Sequence, residues 1–169
     1  MTGILIWLED TRLSVLIREE PSLFGFPFIL FLHTLGLAML AGVSVAIALW
    51  LLCQGAIAHA AKLEGLIRVM WLGLGINTLS GLLLLIAYPA KALTNPVFYA
   101  KLVLVGLGVY AIARINRELF PGRSAVAGTL VSATARRWAL ASLFLWAGTI
   151  FTGRLLAYTH NVLFAIELS

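Results

Sequence analysis

The chain has 169 residues, of which 62% are hydrophobic and only 11% are charged, and its mean hydropathy is +1.02. A soluble domain carries roughly a quarter charged residues, so the composition excludes an ordinary water-soluble domain. Each membrane-spanning helix needs roughly 20 apolar residues, and four of them leave no room for a second globular domain. We therefore predict a single membrane domain over residues 1–169.

The N-terminal segment holds two apolar clusters, and neither is long enough to cross a bilayer. Ile4 to Leu8 and Leu13 to Ile17 are separated by the polar run from Glu9 to Arg12. Short amphipathic segments of this kind lie in the plane of the membrane interface, where a tryptophan such as Trp7 anchors them. The prediction for residues 3–18 is an interfacial helix.

Four long apolar segments follow and predict four transmembrane helices, at about residues 26–53, 66–88, 97–113 and 138–158. Pro27 lies near the start of the first, where a missing N–H costs least, and Pro89 ends the second. The longest connection, residues 114–137, separates the third and fourth. The predicted fold class is all-α, an integral membrane four-helix bundle with an N-terminal interfacial helix and the lipid bilayer as its main partner.

Basic residues are concentrated on one predicted side of the membrane. The connections after spans one and three, with the adjoining span ends, hold seven of the twelve: Lys62, Arg68, Arg114, Arg117, Arg123, Arg136 and Arg137. Lysine and arginine excess marks the cytoplasmic side. We therefore predict that both termini lie on the outer side, which is the periplasmic side if the membrane is a bacterial inner membrane. Because topology explains the net charge of +5, we predict no nucleic-acid partner.

Ionisable side chains within spans are costly and are therefore functional candidates. The sequence offers His33, Lys101 and Arg154, all in the predicted outer half. At 1.5 Å rise per residue, they lie roughly 6–10 Å below the outer ends of their spans. Asn77 lies about one turn deeper on span two, and Tyr158 follows Arg154 at helical spacing. The prediction is a pocket that opens outward.

A neutral imidazole can ligate haem iron or copper, so His33 is the predicted metal ligand of a b-type haem. Lys101 and Arg154 would face the haem propionates. The second ligand stays open among Lys101, His160, Met39 and a residue of a partner chain. The simpler alternatives are a hydrogen bond from His33 to a neighbouring helix, headgroup contacts for the two cations, and a solvated loop position for His160.

The sequence contains no Walker loop, no Gly-x-Ser-x-Gly elbow and no His-Glu-x-x-His motif. The spans contain no aspartate or glutamate, which disfavours a pump built on membrane carboxylates. We predict that the chain is not an enzyme on its own.

Four stretches resemble an uncharacterised bacterial family of four-span inner-membrane proteins that carries a domain-of-unknown-function label. They touch nearly the whole chain: Ser14 to Arg18 (SVLIR), His33 to Leu40 (HTLGLAML), Asn95 to Val105 (NPVFYAKLVLV) and Gly153 to Tyr158 (GRLLAY).

The pairing of His33-Thr34-Leu35-Gly36 on span one with Lys101 to Val105 on span three is also remotely similar to the CopD and HemJ-type membrane proteins. That resemblance implies haem or metal chemistry at His33 and Lys101. HemJ-type proteins have a tyrosine-histidine pair about ten residues after the lysine, whereas here Tyr110 is followed by Ala111. The roles implied by this resemblance are therefore expected only of His33 and Lys101.

Three functions are compatible with these observations. The first is a haem-b-binding or redox-linked membrane subunit. The second is a cofactor-free structural or anchoring subunit, which would form a homo-oligomer or join a larger membrane complex. The third is copper or small-solute passage, which ranks last because the three methionines are too scattered for a copper relay.

Overall fold

The structure, a computed structural model, describes residues 11–19, 25–53, 60–119 and 131–167, with the backbone alone for Leu13, Glu19, 60–62 and 157–167. The described residues form six helices: α1 (Arg12–Glu19), α2 (Phe26–Cys53), α3 (Ala60–Ala87), α4 (Pro89–Leu93), α5 (Pro96–Leu119) and α6 (Ala133–Glu167). Four segments are long and apolar enough to cross a membrane, Phe26–Cys53, Leu63–Ala87, Pro96–Leu119 and Ala133–Leu156. The predicted all-α, four-span bundle is confirmed, and the protein is an integral membrane protein.

Helices α2 and α3 form the most extensive pair, and two glycines bring their backbones together. A β-carbon at Gly36 would lie 2.6 Å from the backbone nitrogen of Asn77, and one at Gly73 would lie 2.8 Å from the backbone nitrogen of Leu40. Small residues at such crossings allow the close packing that drives association of helices in lipid. The close approach of α2 and α3 therefore depends on these two glycines.

Helices α5 and α6 form the second pair, and α2 packs against α6 to join the two pairs. Gly108 on α5 accommodates the fully buried ring of Trp146 on α6, since a β-carbon there would lie 3.1 Å from the indole. The spans are thus arranged in the order α3, α2, α6, α5. Among the described residues, α3 and α5 do not pack along each other.

Two short helices lie at one end of the bundle, called here the α1 end. Helix α1 packs against α3, where Ser14 Oγ donates a hydrogen bond of 3.3 Å to the carbonyl of Ala87. Helix α4 contacts both α3 and α5 and connects them. Residues 3–10 of the predicted interfacial helix lie outside the described residues.

Three of the four spans are longer than predicted. Helix α5 continues beyond Ala113 to Leu119 because the buried positions Ile115 and Leu119 extend its apolar face. Helix α6 begins at Ala133 rather than near Trp138, since Ser132 Oγ accepts a hydrogen bond of 3.0 Å from the N–H of Ala135 and caps the helix. Helix α3 begins before Leu66, because the buried side chain of Leu63 extends its apolar face.

Candidate functional site

His33 lies on α2 about 10 Å along the axis from Phe26, at the α1 end of the bundle. Its Nδ1 lies 3.1 Å from the backbone carbonyl oxygen of Asn77 and 3.2 Å from Ser80 Oγ, both on α3. Gly81 leaves the space that the ring occupies, since a β-carbon there would lie 3.2 Å from His33 Cε1. The imidazole is therefore held against α3 by three positions.

Asn77 reinforces this contact in the opposite direction. Its side-chain Nδ2 donates a hydrogen bond of 2.8 Å to the backbone carbonyl of His33. Asn77 is buried, and Ser80 Oγ donates to the carbonyl of Ile76 at 2.6 Å. Each polar side chain on this face of α3 thus has a partner, as burial in an apolar bundle requires.

The hydrogen bonds assign the tautomer of His33. A carbonyl oxygen only accepts hydrogen bonds and an ammonium only donates them, so the tautomer with the proton on Nδ1 satisfies both Asn77 O at Nδ1 and Lys101 Nζ at Nε2. In the neutral ring, Nε2 then holds a lone pair. Metal-ligating histidines commonly have this arrangement, in which a backbone carbonyl fixes one nitrogen and leaves the other free to coordinate.

Lys101 on α5 faces that lone pair. Its Nζ lies 3.5 Å from His33 Nε2 and is positioned to donate to it. The alkyl part of Lys101 passes close to α6, because a β-carbon at Gly153 would lie 3.9 Å from Lys101 Cε. Spans one, two and three thus contribute to one polar cluster, composed of His33, Asn77, Ser80 and Lys101, within a part of the bundle that is otherwise apolar.

This cluster lies between α3 and α5. His33 contacts α3 through Asn77 and Ser80 and contacts α5 through Lys101, whereas the two helices do not pack along each other within the described residues. His33 and Lys101 are each only partly buried. The cluster therefore lies between α3 and α5, which α4 connects at the α1 end.

The remaining predicted site residues lie apart from the cluster or outside the described side chains. Arg154 is exposed on α6, next to Gly153, and forms no hydrogen bond or ion pair with the described residues. Tyr158 and His160 belong to α6, but their side chains lie outside the described residues, so their predicted roles stay predictions.

Ser80 and Gly81 were missed by the sequence reasoning. The signal for Ser80 was present, because Asn77 and Ser80 are spaced three apart on an apolar span and therefore share one helix face. Gly81 gives no comparable signal, because glycines in membrane spans commonly serve helix packing, whereas its neighbour here is the His33 ring.

The donor set available to a metal is small. Among the described residues there is no group of three or more histidine, cysteine, aspartate or glutamate side chains that could hold an ion. His33 Nε2, with Lys101 Nζ beside it, provides one imidazole ligand and one amine, which suits a cofactor that brings most of its own ligands better than a bare ion.

The fold and this cluster define a four-span integral membrane protein with a polar site inside one half of the bundle. Comparison of the chain with protein-family models, with curated proteins and with solved structures finds no match.

Proposed function

We propose that the protein is a haem-b-binding, redox-linked subunit of the bacterial inner membrane, with His33 Nε2 as the iron ligand. The observation that carries this proposal is the hydrogen bond of 3.1 Å from His33 Nδ1 to the Asn77 carbonyl, which leaves the Nε2 lone pair for a metal. The remote similarity to CopD and HemJ-type proteins at His33 and Lys101 supports it. Haem b would supply one-electron transfer at this position.

The residues around His33 fit an amphiphilic, anionic cofactor. His33 and Lys101 are only partly buried, and α3 and α5 do not pack along each other within the described residues, so we expect a cofactor to enter between these two helices. Lys101 Nζ lies 3.5 Å from Nε2. Its ammonium must therefore move aside to neutralise a propionate, or must lose its proton and become the second ligand as a neutral amine. Arg154, exposed at the same end, is a further cation for the anionic edge of the cofactor.

The haem content of the purified protein tests this proposal. The full chain would be expressed with a haem precursor, and haem per chain would be measured as the pyridine complex. We expect about one haem per chain for the wild type and lower occupancy for Lys101→Met. Lys91→Met, which changes an exposed lysine on α4, is the matched control and should retain the wild-type content. A wild type with no haem would overturn the proposal.

A cofactor-free structural subunit is the second candidate, because a different feature favours it. Both ring nitrogens of His33 already have partners within the bundle, so the cluster is complete as a polar contact between helices. Most residues of the four spans are also not buried within the chain, which suits partner helices as well as lipid. In that case His33→Ala should leave the bound partner, whether another copy or another protein, in place during purification.

The proposal also includes the orientation of the protein in the membrane. The α1 end, which holds the His33 cluster, would face the periplasm, and the opposite end with most arginines would face the cytoplasm. Electron partners would then approach the cluster from the outer half of the bilayer.

A further inference from the structure

A second polar feature lies at the end of the bundle opposite α1, between α5 and α6. The guanidinium carbon of Arg114 lies 5.7 Å from the centroid of the Trp138 ring. Tyr110, one turn before Arg114, packs edge-on against Trp138 with 5.5 Å between ring centroids. These three residues are called here the Arg114 cluster. It involves no residue of the His33 site, so it does not depend on the proposed haem.

Basic residues surround this cluster. The described part of this end contains five arginines against two glutamates: Arg68, Arg114, Arg117, Arg136 and Arg137 against Glu64 and Glu118. Glu64 pairs with Arg68 at 2.7 Å, and Glu118 accepts a hydrogen bond from Ser132. Among the described residues, the other four arginines therefore form no ion pair.

The Arg114 cluster lies at a depth along α5 and α6 that corresponds to the lipid headgroups. Arg114 lies five residues before the end of α5 and Trp138 five residues after the start of α6, so each is about 7–8 Å inside its helix end. Tryptophan and tyrosine concentrate at the membrane–water interface. Arg117 lies about one turn closer to the helix end than Arg114 and extends the positive charge toward water.

The ring of Trp138 also restricts the orientation of the Arg114 guanidinium. A guanidinium that lies over an aromatic face keeps its N–H groups, which point outward in the plane of the group, available for a phosphate. Leu107, two turns before Arg114 on the same face of α5, is exposed and provides an apolar surface closer to the bilayer centre. Cationic N–H groups next to an apolar surface match a phosphate that carries acyl chains.

We propose that the Arg114 cluster is a binding site for an anionic phospholipid, in which the guanidinium of Arg114, held over Trp138, binds the headgroup phosphate. Arg117, Arg136 and Arg137 add long-range attraction, and the acyl chains lie along α5 and α6. This site selects anionic over zwitterionic lipids in the leaflet that faces this end.

Native mass spectrometry of the full chain in detergent tests this site, with dioleoyl phosphatidylglycerol and dioleoyl phosphatidylcholine as probes. The wild type is expected to retain phosphatidylglycerol in preference to phosphatidylcholine. Arg114→Gln should weaken phosphatidylglycerol binding about fivefold, the factor that one arginine contributes near an anionic surface. Arg68→Gln is the matched control, since this exposed arginine of the same end pairs with Glu64, and its binding should be unchanged.

Two further variants separate the site from a general effect of charge or folding. Arg114→Lys keeps the charge without the planar group and should bind more weakly than wild type but better than Arg114→Gln. Trp138→Phe keeps an aromatic surface and should retain the lipid preference. Equal losses for Arg68→Gln and Arg114→Gln, or no preference in the wild type, would overturn the proposal. Inorganic phosphate should not displace the lipid, and displacement at equal concentration would mean that the site binds free phosphate instead.

Discussion

His33 and Asn77 hold each other by reciprocal hydrogen bonds across the α2–α3 interface. The ring nitrogen Nδ1 of His33 donates to the Asn77 carbonyl at 3.1 Å, and Nδ2 of Asn77 donates to the His33 carbonyl at 2.8 Å. Two bonds in opposite directions fix both the register of the helices and the orientation of the imidazole. Nε2 is thereby directed toward Lys101 on α5.

Asn77→Ala removes one of these two bonds and is expected to lower the free energy of unfolding. The loss should be about 1 kcal/mol, within the range measured for hydrogen bonds between helices in membranes. Unfolding by dodecyl sulfate in mixed micelles, followed by circular dichroism, measures it. Thr78→Ala, an exposed neighbour on the same helix, is the control and should change little. Equal stabilities of the two variants would show that the Asn77 bond contributes nothing.

The glycine crossing gives a prediction with controls on the same helices. Gly36→Ala places a methyl group 2.6 Å from the backbone of α3, and Gly73→Ala places one 2.7 Å from Met39 Cβ. Overpacking of this kind costs about 1–3 kcal/mol.

The matched controls are Gly42→Ala on α2 and Gly75→Ala on α3, where a β-carbon would have no neighbour within 4 Å. Both controls should be neutral or slightly stabilising, because alanine favours the helix over glycine. The same unfolding titration measures all four variants. If Gly36→Ala and Gly42→Ala were equally stable, the close approach of α2 and α3 would be wrong.

Gly108 and Trp146 should behave as a coupled pair. A β-carbon at Gly108 would lie 3.1 Å from the indole, so Gly108→Ala should cost about 1 kcal/mol or more. Trp146→Phe shortens the ring and removes an Nε1–H that has no hydrogen-bond partner among the described residues. The double variant should therefore lose less stability than the sum of the two single losses. Gly106→Ala, with open space around it, is the control, and strict additivity would contradict the contact.

Cys53, the only cysteine of the chain, reports the orientation directly. It is exposed at the end of α2, on the predicted cytoplasmic side. A membrane-impermeant maleimide should label it only after spheroplasts are permeabilised. In a Cys53→Ser background, Lys91→Cys at the opposite end should be labelled in intact spheroplasts. The reverse pattern would show that the arginine-rich end faces outward.

The sequence was sufficient to predict the four spans because each is a long apolar run with clear boundary residues. The predicted bounds of α2 agree with the structure at both ends, whereas α5 and α6 extend into the polar connection. That extension depends on tertiary packing of Leu119 and on the Ser132 cap, which hydropathy does not report. Helix α4 was not predicted, because its five residues are too few to show a periodic pattern.

For the site, the cost of burying polar groups in a membrane was enough to select His33, Asn77 and Lys101. The predicted common pocket rested on their similar depth alone. Which of them contact one another could not be predicted, because the order of the helices depends on which faces pack. The glycines at 36 and 73 decide this for α2 and α3, and Gly108 decides it for α5 and α6. Arg154 was selected by the same rule, yet it lies exposed on α6, because a long cationic side chain near a helix end can extend toward water.

The most direct test of the proposed function is the visible spectrum, oxidised and dithionite-reduced, of detergent-purified wild type beside His33→Ala. The proposal predicts a Soret band with sharp α and β bands on reduction in the wild type, and their loss in His33→Ala. Arg68→Gln, at the opposite end, should keep the wild-type spectrum. A featureless spectrum from folded wild type, or an unchanged spectrum in His33→Ala, would contradict the assignment of His33 as a haem ligand.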